Sequence, residues 1–477
     1  MREAAAPGRP DRPVARWNEA APAAIAASGR KVVALDDDPT GVQTVHDLAV
    51  LADWSVPMLA TELARDRPAF FILTNSRSMP APEARRVNAE IAHNLRVASR
   101  QADVDFVVAS RSDSTLRGHF PDETDALAES LGSIDAVLIC PAFFEGGRVT
   151  IDDVHYVRQG DRLAPASETE FARDAAFGYR SSNLRSWIEE KTGGRITADE
   201  VISISLDDIR IGGPECVAAR LAAASRGRPI VVNAEAYDDL DVVVLGLLRR
   251  EAAGQRFLYR CAASFVRARA GIAERPLLRR DEMLAPDAAP YEPGLVVVGS
   301  HTQRTSEQLE RLLAAPRTTG IEVDAAGLLA DRDQREQVVR DASRCVEASA
   351  TSGSTPVLFT SRRVERPDGI APLLASQAIS SGLVEIVRRL RLHPAFIVAK
   401  GGITSSVIGT RALGVRRAEV LGQVRPGIPV WLLGAEARFP NMPYVIFPGN
   451  VGEVATLAEV VTDLRAERHG RQALNHH

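Results

Sequence analysis

KVVALDDDPTG, residues 31–41, opens as a short apolar run of strand length and closes on three acids, a proline and a glycine. Apolar runs of the same size recur at AFFILT (69–74), DFVVAS (105–110) and DAVLIC (135–140). Helix-period segments separate them, one through Glu83 to Arg100 and another after Pro121. Strand, helix, strand in repetition is the signature of a parallel α/β sheet. A second series starts at GLVVVG (294–299). It runs through PVLFT (356–360), a long helix up to Arg391, FIVA (396–399), a helix from Thr404, VWLLG (430–434) and YVIF (444–447). The expectation is therefore an α/β protein of two α/β domains, each with a largely parallel sheet flanked by helices, with the active site in the cleft between them.

Between the two series, AERPLLRRDEMLAPDAAPYEPG (273–294) is rich in proline and charge and poor in period, which sets a linker at 273–293. The domains are then 30–272 and 294–468, with residues 1–29 and 469–477 read as frayed ends, the first ending in a short helix. Inside the first domain, the stretch from Phe143 to about Asn183 carries little periodicity. Only VHYVRQGDRLAP within it reads as a hairpin, turning at Gly160 and Asp161. An irregular segment of that length in a compact domain is usually a lid or a binding loop.

Composition narrows the class of function. The chain has 477 residues, 45% of them hydrophobic and 25% charged, the balance of an ordinary globular protein in water. A net charge of -4 with no Lys/Arg run argues against a nucleic-acid partner. No window of eighteen apolar residues suggests a membrane span. The four cysteines, Cys140, Cys216, Cys261 and Cys345, form no CxxC pair, so neither a disulfide framework nor a zinc site is indicated and a cytoplasmic setting fits. The only lysines are Lys31, Lys191 and Lys400, and none follows the glycines of a GxxxxGK[ST] loop, which excludes a P-loop kinase.

In open parallel sheets, ligands bind beyond the carboxyl ends of the strands. After the first strand come Asp36, Asp37 and Asp38, then Pro39, Thr40 and Gly41. After AFFILT come Asn75, Ser76 and Arg77, and after DFVVAS come Arg111, Ser112 and the run Asp113, Ser114, Thr115, Leu116, Arg117, Gly118. Adjacent carboxylates repel unless a cation, an arginine or a hydroxyl-bearing substrate relieves them. An acidic turn capped by Asp38 or Thr40 is the plainer alternative. Acids facing arginine forks suit a small hydroxylated acid. In the second series glycines take this place: Gly299 with Ser300, Gly401 with Gly402, and Gly449 with Gly452 each follow a strand. Such turns let backbone N–H groups approach a phosphate. No GxGxxG is present; Lys400 is either a neutraliser of phosphate charge or a solvated side chain at a strand end.

LDDDPTGVQ (35–43), LTNSRS (73–78), RSDSTLRGH (111–119) and ETEFARDAAFGYRSSNL (168–184) are joined in the second half by VVGSHTQRTSEQL (297–309), AKGGITSS (399–406), RRAEVLGQVRPGIPVW (416–431) and FPGNVG (447–452). Together they resemble the four-carbon acid sugar kinase family over nearly the whole chain. The resemblance implies an amino-terminal domain for a sugar acid such as threonate, erythronate or a 3-oxo-tetronate. It implies a carboxy-terminal domain for ATP, used with Mg2+, and a 4-phosphate product. It puts substrate contacts on Asp37, Arg77, Asp113, Ser114, Thr115 and Leu116. Nucleotide contacts fall on Ser300, Gly401, Gly402, Ile403, Thr404 and Gly449. Catalysis is expected of Asp37, Asp38 and Arg117, with no dedicated protein metal site, no nucleic-acid or membrane partner, and a homodimer allowed. The sequence departs from the family pattern at Val407, where an acid is expected, and at Asp36 and Pro39. Two other readings compete: a haloacid-dehalogenase-like phosphatase using Asp36 and Asp38, with Lys191 and the pair Asp207/Asp208, and a sugar-acid sensor without activity.

Overall fold

A computed structural model of the chain describes residues 16–284, 293–362 and 372–465; the expectations for residues 1–15, 285–292 and 469–477 lie outside the described residues. The chain divides into two compact units, Met1–Arg275 and Pro276–His477. Both are built as helices on a mostly parallel sheet.

In the first unit the strands are β1 (Lys31–Asp36), β2 (Leu48–Leu51), β3 (Ala69–Leu73), β4 (Phe106–Arg111) and β5 (Ala136–Cys140). After these come β6 (Arg148–Ile151), β7 (Val154–Gln159) and β8 (Arg162–Pro165), then β9 (Ile202–Ile204), β10 (Arg228–Val232) and β11 (Phe257–Cys261). The main sheet runs in the order β2-β3-β1-β4-β11-β5-β10-β9 with every pair parallel. Helices cover a parallel sheet on both faces, so its strands are continuous apolar runs; β1 and β3 are buried at every residue. The helix Ala81–Ala102 presents Ala84, Val87, Ile91, Leu95 and Ala98 at three- and four-residue spacing. From Val87 onward that stripe packs on Val33, Leu35, Phe70 and Ile72 of the sheet.

Two local expectations are revised. The short helix expected to end the amino-terminal tail is Arg16–Ser28, and it is docked and not frayed: Ala21 and Ile25, one turn apart, are buried. The stretch after Phe143 is not irregular throughout. The hairpin of β7 and β8 turns at Gly160, with φ 60, and β6 joins it to make a three-stranded antiparallel sheet.

The second unit contains β12 (Leu295–Val298), β13 (Thr318–Val323), β14 (Thr355–Thr360), β15 (Ile397–Lys400), β16 (Arg417–Arg425), β17 (Ile428–Leu433) and β18 (Pro443–Phe447). Their order is β13-β14-β12-β15-β18-β17-β16, parallel as far as β18 and antiparallel for the last two pairings. Leu278 and Met283, from the stretch read as linker, are buried in this unit's core with Val296, Val398, Val445 and Phe447. Among the described residues no helix is long and apolar enough to cross a membrane.

Candidate functional site

Parallel pairing brings the carboxyl ends of β1, β3 and β4 to one edge of the first sheet, and the register sets Asp36 opposite Arg111. Arg111 Nη1 donates to Asp36 Oδ1 at 2.9 Å, with both side chains buried. Burial, with Asp37 and Asp38 beside it, pushes Asp36 up to about 7 against the pull of Arg111. Gly41 is required here, because a Cβ on it would overlap the Asp36 carboxylate. An acid whose folded pKa is raised gains nothing from ionising in place: its contribution is intact below about pH 4 and is lost as pH rises toward 7. Asp36→Asn is therefore expected to flatten the fall in stability between pH 5 and pH 8, read from urea midpoints. A wild-type-to-variant difference that stays constant over that range overturns the assignment.

Asp37, the next residue, is also buried. Arg77 Nη2 donates to its Oδ1 at 2.9 Å, while its Oδ2 is covered and has no hydrogen-bond partner among the described residues. Beside Oδ2 stands Gly118, with φ 121. A Cβ there would lie 2.8 Å from Arg260 Nη2 and 3.2 Å from Asp37 Oδ2, so only glycine fits. Asp38 is more open. It accepts from the Thr40 N–H at 2.9 Å as a helix cap, and its other oxygen lies 3.5 Å from Arg77. Burial raises it, but Arg77 and the Thr40 bonds outweigh that and hold it below the usual carboxylate range.

The 113–118 loop joins the same group. Arg117 Nε donates to Asp113 Oδ2 at 2.6 Å, Thr115 Oγ1 bonds the same oxygen, and Arg77 Nη1 lies 4.0 Å from Asp113 Oδ1. These cations hold Asp113 well below its ordinary value despite burial. Leu116 has φ 69, and its side chain is packed with Phe120, Tyr179 and Trp187, so any contact it offers a ligand is through its backbone. The left-handed turn costs about 1–2 kcal/mol for a leucine, which burial of the side chain offsets. Two further groups fix this loop. Tyr179 Oη donates to the Thr115 carbonyl at 2.9 Å, and His155 Nε2 lies 2.8 Å from the Ser114 carbonyl. A carbonyl only accepts, so Nε2 carries the proton and Nδ1 accepts from Thr150 Oγ1 at 3.0 Å. Burial pushes His155 down to about 4, so the ring is neutral.

Sequence reasoning missed several of these groups. Arg260, in the middle of β11, donates to Glu123 Oε2 at 3.1 Å, and Ser76 Oγ bonds the other oxygen of Glu123. Phe171 lies under the Arg117 guanidinium, 5.0 Å from ring centroid to carbon, and Asp174 is 3.6 Å from Arg117. The phosphatase reading is not supported by the geometry. Asp36 is committed to Arg111, Lys191 donates to the carbonyls of Phe177 and Gly178, and Asp208 bonds Ser205 and Arg220.

In the second unit the three glycine turns meet, because β12, β15 and β18 are neighbours and parallel. The Ser300 N–H reaches the Lys400 carbonyl at 3.3 Å, and the Gly401 N–H reaches Phe447 at 2.8 Å. Thr302 and Thr305 both donate to the Gly449 carbonyl, at 2.8 and 2.9 Å, and Thr305 Oγ1 is 3.0 Å from Ser300 Oγ. A Cβ on Gly401 would sit 3.0 Å from Ser300 Cβ, and one on Gly449 would sit 2.7 Å from Ser300 Oγ. This is a cradle of backbone and hydroxyl groups from which side-chain bulk is excluded. Ile403 is 46% exposed at its rim, and Val407, four residues on, shares its helix face. Arg362, which the sequence reading did not pick out, donates to the Ser300 carbonyl at 2.8 Å and to Ser306 Oγ at 2.7 Å.

Lys400 does not reach this cradle as expected. Its side chain is fully buried, with Nζ on the Pro448 carbonyl and 4.0 Å from the Phe447 ring centroid, and burial pulls it down to about 7. A lysine lowered in this way is neutral in the fold and charged when unfolded between about pH 7 and 10, so stability rises with pH across that window. Lys400→Met is expected to remove that rise while changing ATP affinity less than about threefold. A tenfold loss of ATP affinity at unchanged stability would return Lys400 to the phosphate site.

A family model described as a sugar-binding N-terminal domain matches residues 32–269, and one described as a nucleotide-binding C-terminal domain matches 295–457. A D-threonate kinase of Salmonella typhimurium is 25% identical over 447 residues, covering 90% of this chain and 97% of its own. A 3-oxo-tetronate kinase of Pseudomonas fluorescens is 28% identical over 402 residues, covering 82% and 84%. The solved structure of a Haemophilus influenzae protein has the same fold, with a TM-score of 0.60, 20% identity, and coverage of 91% of this chain and 100% of the other.

Proposed function

Since the chain belongs to the four-carbon acid sugar kinase family and is thus a carbohydrate kinase, we propose that it uses ATP to phosphorylate the terminal hydroxyl of a four-carbon sugar acid, giving the 4-phosphate. The candidate acids are threonate, erythronate and a 3-oxo-tetronate. The observation that carries this reading is the open valence at Asp37. One carboxylate oxygen is held by Arg77, and the other is buried and without a donor. A buried acceptor left unpaired costs about 1–3 kcal/mol, and a substrate hydroxyl would supply the missing proton once binding displaces the groups that cover this oxygen.

Phosphoryl transfer asks little covalent chemistry of a protein. It needs a hydroxyl aligned with the γ-phosphate and spreading charge neutralised. Asp37 takes or orients the hydroxyl proton, and Arg77 fixes the direction of its carboxylate. Asp38 and Arg117 extend the charge pattern around it. Ser114, Thr115 and the backbone at Leu116 offer hydrogen bonds to the remaining hydroxyls. For ATP, the fit rests on the cradle of Ser300, Gly401, Gly402, Thr404 and Gly449, with Ile403 available to the base or ribose. Magnesium, when bound with ATP, neutralises phosphate charge. We propose that the ion would be held mostly by phosphate and water oxygens, with few protein ligands. A homodimer remains compatible with this reading.

The test is ADP release in a coupled assay against D- and L-threonate, D-erythronate and their 3-oxo forms. Turnover with at least one, dependent on that acid, is expected. ATP hydrolysis indifferent to every acid overturns the substrate class.

A further inference from the structure

At the carboxyl edge of the first sheet, the three arginines read from the sequence, and Arg260 beside them, are all committed to acids of the protein itself. Arg77 has Asp37 at 2.9 Å, Arg111 has Asp36 at 2.9 Å, Arg117 has Asp113 at 2.6 Å, and Arg260 has Glu123 at 3.1 Å. Arg77 also lies within 4.0 Å of Asp38 and Asp113. A substrate carboxylate brought to Arg77 would therefore stand among three like charges, and that repulsion opposes binding.

Arg148 differs. It is the first residue of β6, and its backbone is fixed by a reciprocal pair of bonds with Phe143, at 2.8 and 3.1 Å. Its Nη1 donates to the Gly146 carbonyl, its guanidinium lies 5.8 Å from the Phe143 ring, and its buried Nε has no partner. No carboxylate lies within 4 Å of it among the described residues. Burial lowers its affinity for a proton, while Asp113 and Arg117 are near enough to act on its charge. A half-buried guanidinium with spare donors and no counter-ion, beside the Asp113–Arg117 pair, lacks one component, an anion. Gly146 permits the arrangement, since a Cβ there would press on the Phe143 ring and on Arg148 itself.

We propose that Arg148 binds the substrate carboxylate and so selects sugar acids over neutral sugars, an inference that rests on the kinase reading above. The carboxylate completes the guanidinium, and the acids of the site are left to face the hydroxyls. Arg77 and Arg117 then orient protein carboxylates and do not anchor the acid.

The experiment is calorimetric binding, without ATP, of the tetronate that the wild type turns over best and of its uncharged amide, to wild type, Arg148→Gln and Arg148→Lys. If no acid is turned over, D-threonate is the probe. The wild type should bind acid over amide by about 30-fold or more, the effect of losing one partner of a buried charge pair. Arg148→Gln should bind the two equally, with its amide affinity unchanged, and Arg148→Lys should recover part of the preference. A merely structural arginine would weaken acid and amide together on substitution, and that result overturns the proposal, as does an acid preference that survives in Arg148→Gln. A wild type that binds acid but does not phosphorylate it counts against the kinase reading alone. One that binds neither acid nor amide counts against both.

Discussion

Asp37→Asn is expected to lower turnover by about 10²–10⁴-fold, the range for losing a positioned proton acceptor, with ATP affinity unchanged within about twofold. The substitution is nearly isosteric. The asparagine oxygen can still accept from Arg77 Nη2, which bonds Asp37 at 2.9 Å in the native site, so the loop should keep its shape. What goes is the charge and the basic oxygen now left without a donor. Asp38→Asn is the matched control. Asparagine caps a helix as well as aspartate, so the bond to the Thr40 N–H survives and only the charge is lost. A much smaller effect is expected there. Equal losses from the two substitutions would mean that the acidic run acts by summed charge, and unchanged turnover in Asp37→Asn would remove it from the chemistry.

Gly401→Ala is expected to weaken ATP binding by about 10–100-fold, from backbone strain of order 1–3 kcal/mol together with a steric effect. Gly401 has φ 113 and ψ 140, a conformation open to glycine alone. The added methyl would also lie 3.0 Å from Ser300 Cβ and 3.3 Å from both Ser300 N and Thr404 Oγ1. Binding of the sugar acid in the absence of ATP should be unaffected. Gly353→Ala separates strain from contact: its φ is 77 and a Cβ there meets nothing within 4 Å. That variant should lose some stability and keep its ATP affinity. Normal nucleotide binding in Gly401→Ala would place the phosphates elsewhere.

Much of the fold could be read from the chain because strands buried on both faces leave uninterrupted apolar runs. β1, β3, β4 and β5 stand out for that reason, as do β12, β15 and β18. β11 does not, because Arg260 sits in its middle and is buried against Glu123, 137 residues away in sequence. β16 alternates buried and half-buried residues, a weaker pattern in a segment that carries Arg417, Glu419 and Arg425. In Arg16–Ser28 a helix is legible, but Pro22 interrupts its only apolar stretch and hides that Ala21 and Ile25 are buried. In the site, Asp37, Arg77 and the 113–117 run were legible because they follow strands directly, and parallel pairing then brings them together. Sequence alone could not show which arginines already have an acid, since that depends on contacts such as Arg117–Asp174 that cross the chain. Lys400 fits neither of its two readings, phosphate ligand or solvated side chain, for the same reason. A position at a strand end does not say whether the side chain turns outward to a phosphate or inward to Phe447 and Pro448.

The small sheet of β6, β7 and β8 supplies Arg148, and from its second strand it supplies His155, whose ring is bonded to the Ser114 carbonyl. The same excursion of chain returns with Tyr179 on the Thr115 carbonyl. Recognition and the mould that shapes the neighbouring turn are therefore inherited together. Exchange of the whole 143–183 segment between relatives should transfer substrate preference as one cassette, whereas a single substitution within it would leave the acquired part mismatched to the retained one.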